Sequence, residues 1–315
     1  MKKILFILGV ILTFTLQAQD TIYNGIYPVV TSSSELITNT AESGGGSYTT
    51  QYQALLDEWE TDPTGDTLTW QNAMVETLVD SGWWDKMEWL YVFATTNNGD
   101  NEALVNWIDP GGDYDMDDGD TIGWTRLQGV YGDLDDDYLN TGWNPTTVGR
   151  TGTDDCYGLY IHTLGTQFVD VYAGCMSGLN LLSVGANHSF RICNTTAVIA
   201  SISNPGMFIA SASNDTVNIF HNGSDVGRDV FISEFVPDTT WFFLGDVSND
   251  YGGDGIIAIA FYSDSLRTYE RVNITNVFET YMDNIGTGQI AYNYYPKRND
   301  LFYATNLSKI LYVKP

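Results

Sequence analysis

The sequence predicts a mainly β protein of the sandwich or barrel type, with a small helical region near the N-terminus. A long series of short strand-like runs, separated by Gly, Asn and Asp turns, recurs at a spacing of about 8–12 residues. The continuous apolar run Ile256–Tyr262 has the length of a strand that is buried on both faces. Helical spacing of apolar residues is confined to residues 48–94 and to the segment after Ser265.

The composition limits the classes of partner. The chain has 315 residues, of which 43% are hydrophobic and 14% aromatic, so it can bury a sizeable core. Its 40 acidic and 13 basic residues give a net charge of −27. A surface of this sign repels nucleic acid and anionic lipid, so we expect neither as a partner. Solubility is the plain explanation of the charge, and bound divalent cations are the alternative.

The N-terminus has the three parts of a secretory signal peptide. Two lysines precede an apolar run, Ile4–Leu16, and the small residue Ala18 marks the cleavage position. The run is short for a bilayer span, so we predict that residues 1–18 are removed, with an uncleaved anchor as the alternative. We expect no later membrane span. Residues 19–47 are polar and Gly-rich towards their end, which predicts an extended segment and a flexible linker.

Residues 48–96 predict a helical accessory region. Apolar residues recur at three- and four-residue intervals in two stretches, Tyr52–Trp59 and Trp70–Leu78. Trp83–Phe93 fits either a third helix or a strand that joins the sheet. Short helices cannot bury their own apolar faces, so we expect these to dock on the sandwich.

Residues 97–288 predict the sandwich itself, because short runs of strand formers bounded by turn residues fill most of this range. The predicted strands before the final apolar run are Leu104–Ile108, Trp124–Gln128, Tyr157–His162, Phe168–Tyr172, Leu179–Val184, Phe190–Cys193, Val198–Ile202, Met207–Ala212, Thr216–His221, Phe231–Phe235 and Trp241–Gly245.

The end of the chain changes from strand to helix and then to a tail. After the strand Ile256–Tyr262, apolar residues recur at helical spacing through Leu266–Met282. Gly286 and Gly288 stand where that helix should end. Residues 289–315 are aromatic and locally basic, which predicts a pair of added strands or a tail that docks a partner.

Several motifs, in this order and spacing, resemble one family. The segment Gly255–Leu266 and the helix end Glu279–Met282 are similar to the closing part of concanavalin A-like, laminin G-like jelly-roll domains. The earlier motifs that agree with it are Ala103–Trp107, Tyr138–Gly142, Asp155–Tyr160 and Asn218–Gly223. The resemblance is closest to uncharacterised versions from bacteriophage and environmental bacterial genomes. It implies a jelly-roll β-sandwich and no single activity.

Three cysteines, Cys156, Cys175 and Cys193, leave the disulfide state open. An odd number excludes a complete disulfide framework. Cys175 and Cys193 lie near the ends of successive strand-like runs and could pair across a sheet. Three buried thiols are the other interpretation.

The sequence offers little for catalysis. Sugar-cleaving members of the resembling fold carry a strand with Glu-x-Asp-x-(x)-Glu spacing, which does not occur here. The sequence also has no Gly-x-Ser-x-Gly, P-loop or His-Glu-x-x-His motif, and its histidines are isolated. We therefore favour a non-catalytic protein, with a hydrolase or lyase built on aspartates as an alternative.

Aspartate-rich turns predict calcium as a cofactor, because hard cations prefer closely spaced carboxylate oxygens. The predicted ligands are Asp113, Asp115, Asp117 and Asp120 in one loop, with residues 133–137 near enough to join them, and Asp246 and Asp250 in another, with Asp254 nearby. The first loop is not an EF-hand, because Asp118 occupies the glycine position and the final glutamate is absent. Solvated acidic turns without a metal are the alternative.

Glycan recognition by the resembling fold uses an exposed aromatic ring beside Asp or Asn side chains. The predicted glycan-binding residues are Trp143, Trp124, Tyr131 and Asn144, with Trp107 and Tyr160 as further rings. Trp143 is the strongest candidate for an exposed ring, because Gly142–Pro145 has the composition of a turn. The alternative for each ring is burial in the core.

Together these features predict a secreted or cell-surface, non-catalytic protein that binds a glycan or cell-surface polysaccharide. The alternative is a structural component of a virion or cell surface, assembled with other proteins or as a homo-oligomer.

Overall fold

The computed structural model describes residues 48–112, 117–118, 122–132, 138–166, 169–175, 179–184, 187–192, 195–199, 204–213, 216–230, 240–245 and 253–290. The predicted signal peptide, the linker up to residue 47 and the tail beyond residue 290 lie outside these ranges. So do the predicted strand Phe231–Phe235 and the side chains of Cys175 and Cys193, so the disulfide prediction is not tested.

The described ranges contain three α-helices and fifteen strands. The helices are α1 (Thr50–Glu58), α2 (Asp66–Asp80) and α3 (Thr268–Asn284), with short 3-10 helices at Trp84–Lys86 and Glu102–Leu104. The strands are β1 (Met87–Val92), β2 (Asp117–Asp118), β3 (Gly123–Thr125), β4 (Gly129–Tyr131), β5 (Leu139–Asn140), β6 (Asp155–Thr163), β7 (Val169–Cys175), β8 (Leu179–Val184), β9 (Asn187–Ile192), β10 (Thr195–Ile199), β11 (Gly206–Ser213), β12 (Thr216–His221), β13 (Ser224–Val230), β14 (Phe242–Phe243) and β15 (Ile256–Asp264).

The strands form two antiparallel sheets. The helix-side sheet has the order β13-β12-β11-β6-β15-β4-β3, with β1 also paired to β15. The outer sheet has the order β10-β9-β8-β7-β14-β5-β2. This arrangement confirms the predicted mainly β sandwich. No helix in the described ranges has the length and the apolar character needed to cross a bilayer.

An aromatic core lies between the two sheets. Trp89 of β1 packs on Trp241 beside the outer sheet, with ring centroids 5.7 Å apart. Tyr262 of β15 packs against Trp143 at 4.4 Å and against Trp241 at 5.8 Å. All four side chains are fully buried. Strand alternation places Trp89 and Tyr262 on the inner face of the helix-side sheet, so this inter-sheet core closes the sandwich.

A second core lies between the helix-side sheet and the three helices. Phe261 of β15 packs on Phe278 of α3, with ring centroids 5.8 Å apart. Ala258 and Phe261 of β15 belong to this helix–sheet core, whereas Ile257 and Tyr262 belong to the inter-sheet core. The strand is therefore buried on both faces, as its continuous apolar run predicted.

The ends of the helices follow local signals in the sequence. The Thr49 side chain accepts a hydrogen bond from the Tyr52 N–H at 3.2 Å and caps α1. At the end of α3, Gly286 has a φ of +84°. Its N–H donates to the Asp283 carbonyl at 3.1 Å, and the Thr287 N–H donates to the Met282 carbonyl at 2.9 Å. These two bonds form a Schellman motif, which confirms the predicted stop at Gly286.

For two segments, Trp83–Phe93 and Leu104–Ile108, the structure adds to or corrects the prediction from the sequence. Trp83–Phe93, for which helix and strand were both open, forms a 3-10 turn and then β1, which pairs with β15. The range 48–96 therefore contains a strand of the helix-side sheet as well as two helices. Leu104–Ile108 was predicted to be a strand, which is wrong. The Asn106 side chain accepts from the Leu90 N–H at 3.2 Å, so a side chain replaces the regular ladder there.

Candidate functional site

An open groove of about 280 Å³ runs between α2 and α3 on the surface of the helical layer. Its lining comes from one side of each helix, at the three- and four-residue spacing that places side chains on a common face. The lining residues are Trp70, Ala73, Met74 and Thr77 of α2 and Asn276, Val277, Thr280, Tyr281 and Asn284 of α3. None of these side chains is charged, so the groove combines one indole ring with amide and hydroxyl groups.

The hydroxyl groups of the groove are oriented by their own helices. Thr77 donates its hydroxyl hydrogen to the Ala73 carbonyl at 2.7 Å, and Thr280 donates to the Asn276 carbonyl at 2.7 Å. Each hydroxyl oxygen therefore keeps its acceptor lone pairs for a ligand. Both threonines are exposed to solvent.

The two asparagines of the groove supply both donors and acceptors. Within the described ranges, neither the Asn276 nor the Asn284 side-chain amide forms a hydrogen bond to another residue. Asn276 is half-buried and Asn284 is exposed. Because a side-chain amide offers two N–H donors and a carbonyl oxygen, the pair can serve a ligand that presents several hydroxyl groups.

A buried hydrogen-bond chain holds the two walls of the groove in place. Tyr281 of α3 donates to the Ala94 carbonyl at 2.7 Å, just after β1. The Gln71 amide of α2 donates to the Tyr281 hydroxyl at 3.3 Å and accepts from the Tyr52 hydroxyl of α1 at 2.8 Å. Burial raises the pKa of both tyrosines above the ordinary range, so both hydroxyls remain protonated. These hydrogen bonds link all three helices and fix the positions of α2 and α3, which form the walls of the groove.

Trp143, the first of the predicted glycan-binding rings, is buried. The turn that the sequence indicated is present, with Gly142 at a φ of +67° and the Asn144 side chain accepting from the Thr146 N–H at 2.9 Å. The Thr141 hydroxyl, however, donates to the Trp241 carbonyl at 2.9 Å and holds the segment against the sandwich. The ring of Trp143 has no exposed surface, so the expectation that it lies exposed in a turn is wrong. Turn composition fixes the backbone but leaves the direction of the ring open.

The remaining predicted rings do not form a shared platform. Trp124 of β3 is half-buried and donates its indole N–H to the Phe93 carbonyl at 2.9 Å. Tyr131 of β4 is 37% exposed and pairs with Gly123, so it lies on the opposite face of the hairpin from Trp124. Trp107 and Tyr160 are fully buried in the helix–sheet core.

The predicted calcium ligands fall almost entirely outside the described ranges. Asp113, Asp115, Asp120, Asp246 and Asp250 lie outside them, and Asp117 is described only as backbone of β2. The calcium site therefore stays a prediction. In the part of the chain that the structure describes, no three His, Cys, Asp or Glu side chains are arranged to hold a metal ion.

Asp254, which the sequence placed beside the second calcium loop, is described and has protein partners. It accepts hydrogen bonds from the Thr166 N–H at 2.7 Å and from the Thr166 hydroxyl at 2.5 Å. In this structure its carboxylate joins two loops of the sandwich.

Glu279 of α3 is a buried acid with an altered pKa. It accepts a hydrogen bond from the Tyr160 hydroxyl at 2.5 Å and another from the Ile290 N–H at 3.1 Å. Burial raises the pKa of Glu279 to about 7. A raised pKa inside a cleft is typical of a catalytic acid. Only 1% of Glu279 is exposed, so its carboxyl serves as an internal link and does not face the groove.

Asp155 of β6 is a second buried acid, at the end of the inter-sheet core. Burial raises the pKa of Asp155 to about 6, and the Arg150 guanidinium, 3.8 Å away, partly offsets that shift. Arg150 also pairs with Asp264 at 2.6 Å and with Glu88. The arginine therefore links β6, β15 and β1, which is a structural role.

The groove was not predicted from the sequence, because the apolar stripe that contains Trp70 does not show which helix packs beside α2. One signal could have indicated it. Asn276, Thr280 and Asn284 recur at four-residue intervals, which predicts a polar row on one face of the helix, next to its apolar face. Small and polar side chains along one helical face leave room beside a neighbouring helix.

Comparisons with known proteins identify no family for this chain. No family model matches it, and no curated protein does so. Among solved structures, the botulinum neurotoxin serotype D binding domain is similar with 11% identity and a TM-score of 0.43, over 61% of this chain and 52% of that one. Trypanosoma rangeli sialidase is similar with 10% identity and a TM-score of 0.48, over 68% of this chain and 39% of that one.

A third solved structure relates cell entry of botulinum neurotoxin type C to interaction with two ganglioside molecules. It is 10% identical, with a TM-score of 0.45, over 62% of this chain and 52% of that one. The chain thus spans about half of each neurotoxin structure and 39% of the sialidase structure. At such low identity these likenesses concern the fold alone, and the concanavalin A-like family stays a prediction.

Proposed function

We propose that this protein binds glycans without catalysis, through the groove between α2 and α3, and that it does so outside the cell or at its surface. The observation that supports this most directly is the lining of the groove. A half-buried indole ring lies beside amide and hydroxyl groups that keep free hydrogen-bonding capacity. An aromatic ring can stack against the apolar face of a sugar, while the polar groups bind its hydroxyls.

The rigidity of the groove also supports the proposal. The walls are linked by the buried chain through Tyr281, Gln71 and Tyr52. A site formed in advance loses little conformational entropy when a ligand binds, which matters for weak ligands such as sugars. The extracellular location rests on the predicted signal peptide.

The first test is a glycan array with the unmodified protein, Trp70→Ala and Tyr131→Ala. Tyr131 is the matched control, since it is an exposed ring outside the groove. We expect Trp70→Ala to weaken binding by about tenfold or more, the size typical of an aromatic residue at the centre of an interface. Tyr131→Ala should change binding by less than about twofold.

Three outcomes would contradict the proposal in different ways. An array with no bound glycan would end it. If Tyr131→Ala loses binding and Trp70→Ala keeps it, the binding site lies at the β3–β4 hairpin and not in the groove. Loss of binding after chelation with EDTA would give the predicted calcium loops a part in recognition, because no carboxylate lines the groove.

A further inference from the structure

We infer that the groove between α2 and α3 selects neutral glycans and rejects sialylated, sulfated or uronate-bearing ones. This inference rests on the proposed function and specifies its ligand class. The observation behind it is an uncharged lining beside the acidic helix α2, in a chain whose net charge is −27.

The acidic surroundings come from α2, which supplies one wall of the groove. This helix carries Asp66, Glu76 and Asp80 and no basic residue. All three carboxylates are exposed. A negatively charged sugar in the groove would therefore be repelled from this wall.

The basic side chains of the described ranges lie outside the lining of the groove. Lys86 pairs with Glu270 at 2.6 Å, and Arg150 lies within its group of three carboxylates. Arg271, although it belongs to α3, is buried with its guanidinium 3.7 Å above the Phe220 ring. No lysine or arginine side chain in these ranges lines the groove, so no cation is in place to pair with an anionic sugar.

The hydrogen-bonding groups match a neutral sugar. The Thr77 and Thr280 oxygens act as acceptors towards it, because their hydrogens are bound within the helices. Sugar hydroxyls can donate to these oxygens and accept from the asparagine amides. A carboxylate or sulfate group offers only acceptors, so the group itself cannot donate to the threonine oxygens. The volume of about 280 Å³ fits a short unit at the end of a glycan.

The test is an array of matched pairs, in which each neutral glycan is printed beside its sialylated, sulfated or uronate derivative. The unmodified protein is measured at low and high sodium chloride. We expect each bound neutral glycan to give at least about tenfold stronger binding than its anionic derivative. Salt should strengthen binding of the anionic member and leave the neutral one unchanged, since repulsion between exposed charges is screened.

A charge variant provides an independent readout. Glu76→Gln combined with Asp80→Asn removes two exposed carboxylates of α2. We expect anionic glycans to bind about threefold more strongly to it at low salt, with neutral glycans within about twofold. Glu60→Gln, a similar change in the loop after α1, is the matched control and should leave both classes unchanged.

The outcomes separate this inference from the proposed function. Equal or stronger binding of anionic glycans, still lost with Trp70→Ala, would overturn the inference and leave glycan binding in the groove intact. Binding of neutral glycans that Trp70→Ala does not affect would overturn the groove as the site. If no glycan binds at any salt concentration, both proposals fail.

Discussion

At the scale of single residues, the environment of a side chain decides its role more than its type does. Glu279 is the clearest example. It belongs to a helix of a highly acidic protein, where an exposed carboxylate would be unremarkable, yet it is buried and accepts hydrogen bonds from Tyr160 and Ile290. Its carboxyl connects α3 to β6 and to the chain that follows the helix.

This environment predicts a pH dependence of stability. The pKa of Glu279 is raised from an ordinary value of 4.5 to about 7 in the folded protein, mainly by burial. The folded state therefore binds the proton more tightly than the unfolded state does. The stability that results is fully present below about pH 4.5 and is lost as the pH rises through about 7.

The measurement is urea unfolding of the unmodified protein and of Glu279→Gln at pH 5 and pH 8. We expect titration of Glu279 to lower the unfolding free energy of the unmodified protein by up to about 3 kcal/mol as the pH rises. The variant should not show this loss, because glutamine does not titrate. Glu76→Gln, the same change at an exposed position of α2, should keep the slope of the unmodified protein. A Glu279→Gln variant with an unchanged pH slope would contradict this account of the carboxyl.

This dependence on the environment also limits what the sequence can predict about individual aromatic rings. Trp143 was expected at the surface and is fully buried, whereas Trp70, placed on an apolar helical stripe, does pack partly buried against the helix–sheet core. Local composition indicated a turn at Gly142 and a helix at Trp70, and both are present. Ring direction depends on distant contacts, such as the bond from Thr141 to the Trp241 carbonyl 100 residues away.

At the scale of elements, the sequence was informative wherever a strand or helix carries its own boundary signal. Strands β6, β8, β11 and β12 lie within a residue or two of their predicted positions. The end of α3 was predicted from Gly286 and Gly288. Leu104–Ile108 failed because Asn106, a polar residue in the middle of an apolar run, binds the neighbouring strand through its side chain.

The end of α3 gives a prediction at this scale. Gly286 has a φ of +84°, and an added Cβ would meet nothing within 4 Å, so a substitution there changes only the backbone energy. We expect Gly286→Ala to lower the free energy of unfolding by about 1 kcal/mol, because a left-handed conformation is costly for a residue with a Cβ. Urea unfolding measures this difference.

Gly99→Ala is the matched control for this substitution. Gly99 lies outside the left-handed region, and an added Cβ would make only ordinary contact with the Asn97 side chain at 3.5 Å. We expect its stability to stay within about 0.5 kcal/mol of the unmodified protein. Equal losses in the two variants would mean that the conformation at Gly286 is not the cause.

At the scale of the whole molecule, the described residues form three layers. The outer sheet covers one face of the helix-side sheet, and α1, α2 and α3 cover the other. The helices were expected to dock on the sandwich because they are too short to bury their own faces, and they do so. Their packing removes one sheet face from contact with solvent and creates a groove on the outer side of the helical layer.

This arrangement explains why the candidate site could not be predicted from the sequence. The groove needs α2 and α3 side by side, and almost two hundred residues separate them along the chain. Periodicity predicts each helix and its faces, but not which helix packs beside which. The glycan-binding residues predicted from the sequence and the groove are therefore alternative locations for the proposed glycan site. Tyr131 is the exposed ring of the first location, and Trp70 is the half-buried ring of the second.

Oxidative footprinting with hydroxyl radicals, read by mass spectrometry, distinguishes these two locations most directly. It is carried out with and without the neutral glycan that gives the strongest array signal. We predict that bound glycan protects Trp70 from oxidation and leaves Tyr131 unchanged, while Trp143, buried in the inter-sheet core, stays unoxidised in both states. Protection of Tyr131, with Trp70 oxidised equally in both states, would contradict the assignment of the groove as the binding site.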